Sequence, residues 1–371
     1  MRIHQIGSVL ATGDAVTNQI VEIDRRLARW GFTSCIYGSD ISAAPVAKAQ
    51  LDAAYLPFVD ANEDVLLYHY SAYCESHVLF RRSRNRKILI YHNITPAEYF
   101  RPYDSYYESL CDRGRRLLRE LNECDFAVGV SEYNRLELVR EGFAAERTGI
   151  LPLFLGVEDF DHVQHDDALL RQLRAGSTTN ILFVGRVAPN KAFGDLIKIF
   201  YSYHRYVNPN SRLILAGACF LQSYDRALKE LVSRLALTDA VTFTNRIPLR
   251  QLKTYYLGAD LFLCASRHEG FCAPLLEAMY FGIPILAHAA AAVPYTLGSA
   301  GVQFCTLKYD ALAELIRLLM ENQTVRQQVI ATQKVRLREF APARVEEQLR
   351  VVLNMIGVAA PLPTPSRGID S

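Results

Sequence analysis

Ile181-Leu182-Phe183-Val184-Gly185-Arg186-Val187-Ala188-Pro189-Asn190-Lys191 is an apolar run that ends in glycine and then places two cations on one loop. Read as a strand and its exit loop, it decides the fold. In open parallel α/β sheets, ligands bind beyond the carboxyl ends of the strands, which directs Arg186 and Lys191 into that crevice. Two cations there suit a diphosphate, whose charge rises when its substituent departs. Gly185 lets the backbone approach closely. A pair of solvated loop cations is the other reading of the same residues, and this stretch alone leaves both open.

A second stretch works with the first. Ser266-Arg267-His268-Glu269-Gly270-Phe271-Cys272-Ala273-Pro274-Leu275-Leu276-Glu277-Ala278-Met279 follows an apolar run at 260–264. Pro274 is well placed at a helix start, where its missing N–H would be unpaired anyway. Such a start offers free N–H groups and a positive dipole end to a phosphate. Glu269 falls on the loop and Glu277 inside the helix. Carboxylates in such positions accept hydrogen bonds from sugar or ribose hydroxyls, although a helical glutamate is more commonly just solvated.

Outward from these stretches, short β-rich runs alternate with amphipathic segments, the pattern of a parallel sheet with crossover helices. Strands are predicted near 2–6, 33–37, 64–68, 87–91 and 125–130, then near 180–184, 212–216, 241–244, 260–264 and 284–287. A helix is predicted over 14–30, with Val16, Ile20, Ile23 and Leu27 at spacings of three and four. The chain therefore reads as two α/β units, 1–160 and 178–335, with a linker in the polar stretch from Asp159 to Thr179. An amphipathic region at 325–356 is interrupted by Pro342. The tail, 358–371, is predicted to be disordered.

Composition sets outer limits. A chain of 371 residues, half of them hydrophobic, suits two domains with real cores. Its 41 Lys+Arg against 39 Asp+Glu argue against a dedicated nucleic-acid binder. No run approaches the ~20 apolar residues of a membrane span. Met1-Arg2-Ile3-His4-Gln5-Ile6 reads as a strand and not as a signal core, so a cytoplasmic protein is expected. The eight cysteines form no C-x-x-C pair and no zinc-ligand spacing, and read as reduced thiols.

Gly185-Arg186-x4-Lys191, followed by Glu269-x7-Glu277 within Glu-Gly-Phe-x-x-Pro-Leu-Leu-Glu-Ala-Met, resembles the retaining family 4 glycosyltransferases of the GT-B fold. That resemblance implies two Rossmann-like domains facing each other across a cleft, with a nucleotide diphosphate sugar as co-substrate and no cofactor. It implies that Arg186 and Lys191 hold the diphosphate, that Glu269 holds sugar hydroxyls, and that Gly270 and Phe271 offer amides to the sugar. Leu275 and Leu276 would do so for the phosphates, and Glu277 would bind the ribose. Arg246 and Ile247, in Thr244-Asn245-Arg246-Ile247-Pro248, match a loop that contacts the base. In the first half, His92 matches a histidine that reaches the donor sugar, and Gly13 matches a loop beside the phosphates. The final helix, at 340–357, would cross back onto the first domain. Ala192, Cys272 and Ala289-Ala290-Ala291-Ala292 depart from the pattern, because each stands where glycine is usual.

The resemblance implies a hexose, mannose-like or glucose-like, moved with retention to a glycan or lipid-linked acceptor in bacterial surface polysaccharide or lipopolysaccharide synthesis. The alternatives are a nucleotide-sugar epimerase and a non-catalytic nucleotide-sugar-binding protein. No D-x-D carboxylate cluster stands out, so no metal is expected. Residues 81–119 hold ten Lys/Arg against four Asp/Glu, interspersed with tyrosines. That surface suits peripheral contact with an anionic membrane, or is simply a solvated helical face.

Overall fold

The computed structural model describes residues 1–360. The amino-terminal sheet contains β1 (Arg2–Ala11), β2 (Thr33–Ala43), β3 (Gln50–Leu51), β4 (Val65–Tyr70), β5 (Arg86–Tyr91), β6 (Phe126–Gly129) and β7 (Thr148–Ile150). Its order is β3-β2-β1-β4-β5-β6-β7, and every pair is parallel. The second sheet contains β8 (Thr179–Val184), β9 (Ser211–Ala216), β10 (Val241–Asn245), β11 (Leu261–Cys264), β12 (Ile285–His288) and β13 (Val302–Phe304). Its order, β10-β9-β8-β11-β12-β13, repeats the same doubly wound pattern. In both sheets the order reverses beside the first strand, at β1/β4 and at β8/β11, and a crevice opens there.

Burial explains these elements. All six residues of β4 and all four of β11 are buried, as expected of central strands covered on both faces. The helix Ala15–Arg29 is capped by Asp14, whose side chain accepts from Thr17 N, and it buries Ile20, Ile23 and Leu27 completely. The ten strands predicted from sequence are present. The three missed, β3, β7 and β13, have two or three residues and lie at sheet edges, too short to show a period.

The polar stretch expected as a linker differs from expectation. It holds a helix, Asp167–Arg174, capped by Asp166. Leu173 is buried, and a Cβ on Gly258 would lie only 2.7 Å from it, so this helix packs closely on the helix Leu249–Gly258. Leu169, Leu170 and Leu173 stand at helical spacings of three and four, a pattern that the polar flanks on either side obscured. Pro342 starts the helix Pro342–Met355 at its first turn. That helix lies on the amino-terminal domain: Glu346 pairs with Arg29 at 2.9 Å, and Arg350 sits 4.4 Å over the Trp30 ring. Of the tail predicted to be disordered, Val358 is buried, and 361–371 lie outside the described residues.

Candidate functional site

The loops leaving β8 and β11 are tied together. Asn190 Nδ2 donates to His268 O at 2.9 Å, and Arg267 N donates to Asn190 O at 2.9 Å. Arg267 is anchored in turn by Asp195 at 2.7 Å. This framework brings Lys191 Nζ into an ion pair with Glu269 Oε2. Glu269 is 5% exposed, and its other oxygen, Oε1, is buried with no partner among the described residues. Burial works to lower the Lys191 pKa, but Glu269 offsets this and leaves it raised, so the ammonium is fully charged. An unpaired buried carboxylate oxygen is costly, and it is a ready acceptor for a ligand hydroxyl.

Arg186 stands apart from that pair. It is exposed, with its guanidinium 4.9 Å over the Phe220 ring. Phe220 packs edge-on against Tyr107 of the other domain at 4.9 Å, so Arg186 lies at the mouth of the cleft. Gly185 N donates to Ala216 O, and a Cβ on Gly217 would fall 2.0 Å from Gly185 O. Gly217, which drew no notice in sequence, is thus required for the two strand ends to meet.

The helix Ala273–Tyr280 follows Glu269. Leu275 and Leu276 are wholly buried, and Leu275 N donates to Cys272 O at 3.0 Å, so that amide closes the first turn. Glu277 accepts from the Tyr256 hydroxyl at 2.5 Å. Burial raises the Glu277 pKa, and the tyrosine bond works against that rise. Phe271 is buried edge-on against Phe340 at 5.6 Å. Ile247 is partly buried, and Arg246 Nη2 reaches across to Thr12 O at 3.0 Å, beside Gly13. Gly13 has φ +81° and is exposed, with open space where a Cβ would stand.

The positions where glycine was expected retain a glycine-like backbone. Ala192 has φ +53°, Cys272 +68° and Ala291 +49°, all left-handed. The loop path therefore persists with side chains that fit it poorly, at a cost of about 1 kcal/mol each.

The amino-terminal wall meets this site at Gly270. A Cβ there would lie 2.6 Å from Asn93 Cβ and 2.7 Å from His92 O, and Gly270 O accepts from Ser131 Oγ at 2.8 Å. Asn93 accepts from or donates to three groups: His268 Nε2 at 2.7 Å, Asn134 Oδ1 at 3.1 Å and Glu137 Oε2 at 3.0 Å. Glu137, 3% exposed, also binds Arg115 and the Tyr91 hydroxyl. His268, Asn93, Glu137 and Arg115 thus form an interdomain clasp that sequence reasoning missed. The signal available was only that Asn93 and His268 neighbour His92 and Glu269. Burial lowers the pKa of both His92 and His268 to about 3.

The basic segment 81–119 is largely neutralised. Seven of its arginines are in ion pairs, mostly with acids outside the segment, such as Glu120, Asp60, Glu75 and Glu141. Arg86 donates to Ile356 O and Gly357 O, and Lys87 sits over Phe80. No helix among the described residues is long and apolar enough to cross a membrane.

The chain covers 99% of the Anabaena protein HepE in complex with UDP and glucose, over 95% of its own length, at 17% identity and a TM-score of 0.76. The fold is GT-B. Residues 169–336 match the family model described as glycosyl transferases group 1. O-antigen chain mannosyltransferase B of Escherichia coli is 24% identical over 62% of this chain and 61% of its own. The GDP-mannose-dependent alpha-(1-6)-phosphatidylinositol monomannoside mannosyltransferase of Mycolicibacterium smegmatis is 25% identical over 58% of each chain. The matched segments thus span about three fifths of these relatives' lengths.

Proposed function

We propose that this GT-B protein is a retaining, metal-independent hexosyltransferase of family 4. It moves a mannose-like or glucose-like sugar from a nucleotide diphosphate sugar to a glycan or lipid-linked acceptor of surface polysaccharide synthesis. The observation that carries the reading is the buried Glu269, one oxygen paired with Lys191 and the other unpartnered, at the carboxyl end of β11. The mannosyltransferase relatives and the UDP-bound neighbour support it. Lys191 and Arg186 meet the diphosphate and stabilise the leaving group, so no metal is assigned. Glu269 accepts from sugar hydroxyls, Glu277 from the ribose, and His92 faces the sugar from the opposite wall. A peripheral membrane contact at 81–119 belongs to the same reading, resting on the exposed Val78 beside the segment and Tyr106 within it and not on net charge, which the ion pairs largely neutralise.

The test is turnover of GDP-mannose, UDP-glucose and related donors, with and without EDTA. Release of nucleoside diphosphate that needs an acceptor and survives EDTA supports the reading. Conversion to a new nucleotide sugar without acceptor makes it an epimerase. Thermal stabilisation by a nucleotide sugar without any turnover makes it a binding protein.

A further inference from the structure

Behind His92, in a row with it, the amino-terminal wall contains two polar side chains, Gln5 and His69, that nothing above uses. Gln5 on β1, His69 on β4 and His92 just after β5 come from three adjacent strands. Gln5 Nε2 lies 3.2 Å from Ile20 O, a carbonyl that can only accept. The amide orientation follows: its Oε1 faces His69 Nε2 at 3.2 Å. A carboxamide oxygen also only accepts, so His69 Nε2 carries the proton. His69 is 1% exposed, and burial, aided by His92, holds its pKa well below the usual value. It is therefore neutral, with a lone pair on Nδ1. His92 Nε2 lies 3.0 Å from that atom and must be the donor. His92 is neutral as well, which leaves its one lone pair on Nδ1. Nδ1 has no hydrogen-bond partner among the described residues, and it is not among their fully buried unpartnered atoms.

We propose that Gln5 and His69 are positioning residues that lock His92 as its Nε2–H tautomer, leaving Nδ1 as a hydrogen-bond acceptor for a ligand hydroxyl in the cleft. Each bond in the row runs in one direction only, from a fixed backbone carbonyl outward. The wall therefore offers an acceptor and no donor at that point. A hydroxyl satisfies it, whereas a deoxy or ether position does not. The identity of the hydroxyl as the sugar's rests on the proposed function, but the tautomer does not.

The experiment is a long-range 15N–1H correlation spectrum of ligand-free protein labelled at histidine, near neutral pH. His92 is assigned by its loss in His92→Asn. The Nε2–H pattern is expected for both His69 and His92. An Nδ1–H tautomer or an imidazolium at His92 overturns the proposal. Gln5→Met and His69→Phe should each mix the His92 tautomers and lower kcat/KM roughly tenfold, the loss of one well-placed hydrogen bond. Two variants guard against one failing to fold. A His92 tautomer unchanged in both, or kcat/KM within twofold of wild type in both, also overturns it. If the wild type turns over no nucleotide sugar, the transferase reading falls, and the spectrum alone decides the tautomer.

Discussion

The two walls of the cleft stand on the same strand order and yet hold different chemistry. The carboxyl-terminal wall places charge on loops: Lys191 against Glu269, with Arg186 exposed at the mouth. The amino-terminal wall is neutral where it meets the cleft. Gln5 and His69 are strand residues there, and the Arg115–Glu137 pair, its carboxylate buried and its guanidinium partly exposed, lies behind Asn93. Under the proposed function the difference is a division of labour: charge that would meet a departing diphosphate sits on loops, and directional hydrogen bonds sit where strands hold them rigid.

That contrast can be broken most directly at Lys191. Lys191→Ala leaves Glu269 buried without its counter-charge and should lower kcat by at least about 100-fold, near 3 kcal/mol in barrier. The loss should exceed that of His92→Asn, and steady-state rates on both variants decide the ranking. A Lys191→Ala rate within tenfold of wild type would remove the electrostatic role of that wall.

The structural counterpart lies on the other wall. Glu137→Leu strands Arg115, which is 30% exposed, and removes the anchor of Asn93. A loss of about 3 kcal/mol in unfolding free energy is expected, read by urea titration. An effect below 1 kcal/mol would mean the clasp is held by packing instead.

Acid should act through histidines whose charged form the fold disfavours: the buried His69, held well below its usual value, and His268 and the half-buried His92. The last two have folded pKa values near 3, against about 6.5 unfolded. As pH falls below about 6.5 the unfolded chain takes up protons that the folded one refuses, so stability is lost progressively toward pH 3. His268→Gln should shrink the drop in urea midpoint between pH 7 and pH 5. An unchanged drop assigns the acid sensitivity elsewhere.

The smallest expected effect sharpens the comparison of loops. Ala192→Gly relieves a left-handed backbone and should raise stability by up to about 1 kcal/mol with kcat unchanged. A loss of stability would show that the alanine methyl packs better than its backbone suffers.

The motif residues were legible because charge and glycine spacing are local properties. Gly185, Arg186, Lys191, Glu269 and Glu277 can be read off a loop and a helix start without knowing what faces them. The three short edge strands were not legible, since two or three residues cannot form a period, whereas the helix Asp167–Arg174 has leucines at helical spacing and was hidden by the polar stretches that flank it. The basic segment was legible as a count of charge but not as a set of pairs: most of the acids that meet its arginines, such as Asp60, Glu75 and Glu141, stand elsewhere in the chain.

The sequence by itself determined the two doubly wound sheets and the strand ends that carry charge, because burial pattern and loop chemistry follow from nearest neighbours along the chain. Only the tertiary structure decided that Glu269 keeps one oxygen unpaired, that Asn93 bridges His268 to Glu137, and that Gln5 and His69 orient His92. Those are relations between residues tens to more than a hundred positions apart. A hydrogen bond has a direction and a length of about 3 Å, and neither exists until the strands have been brought side by side.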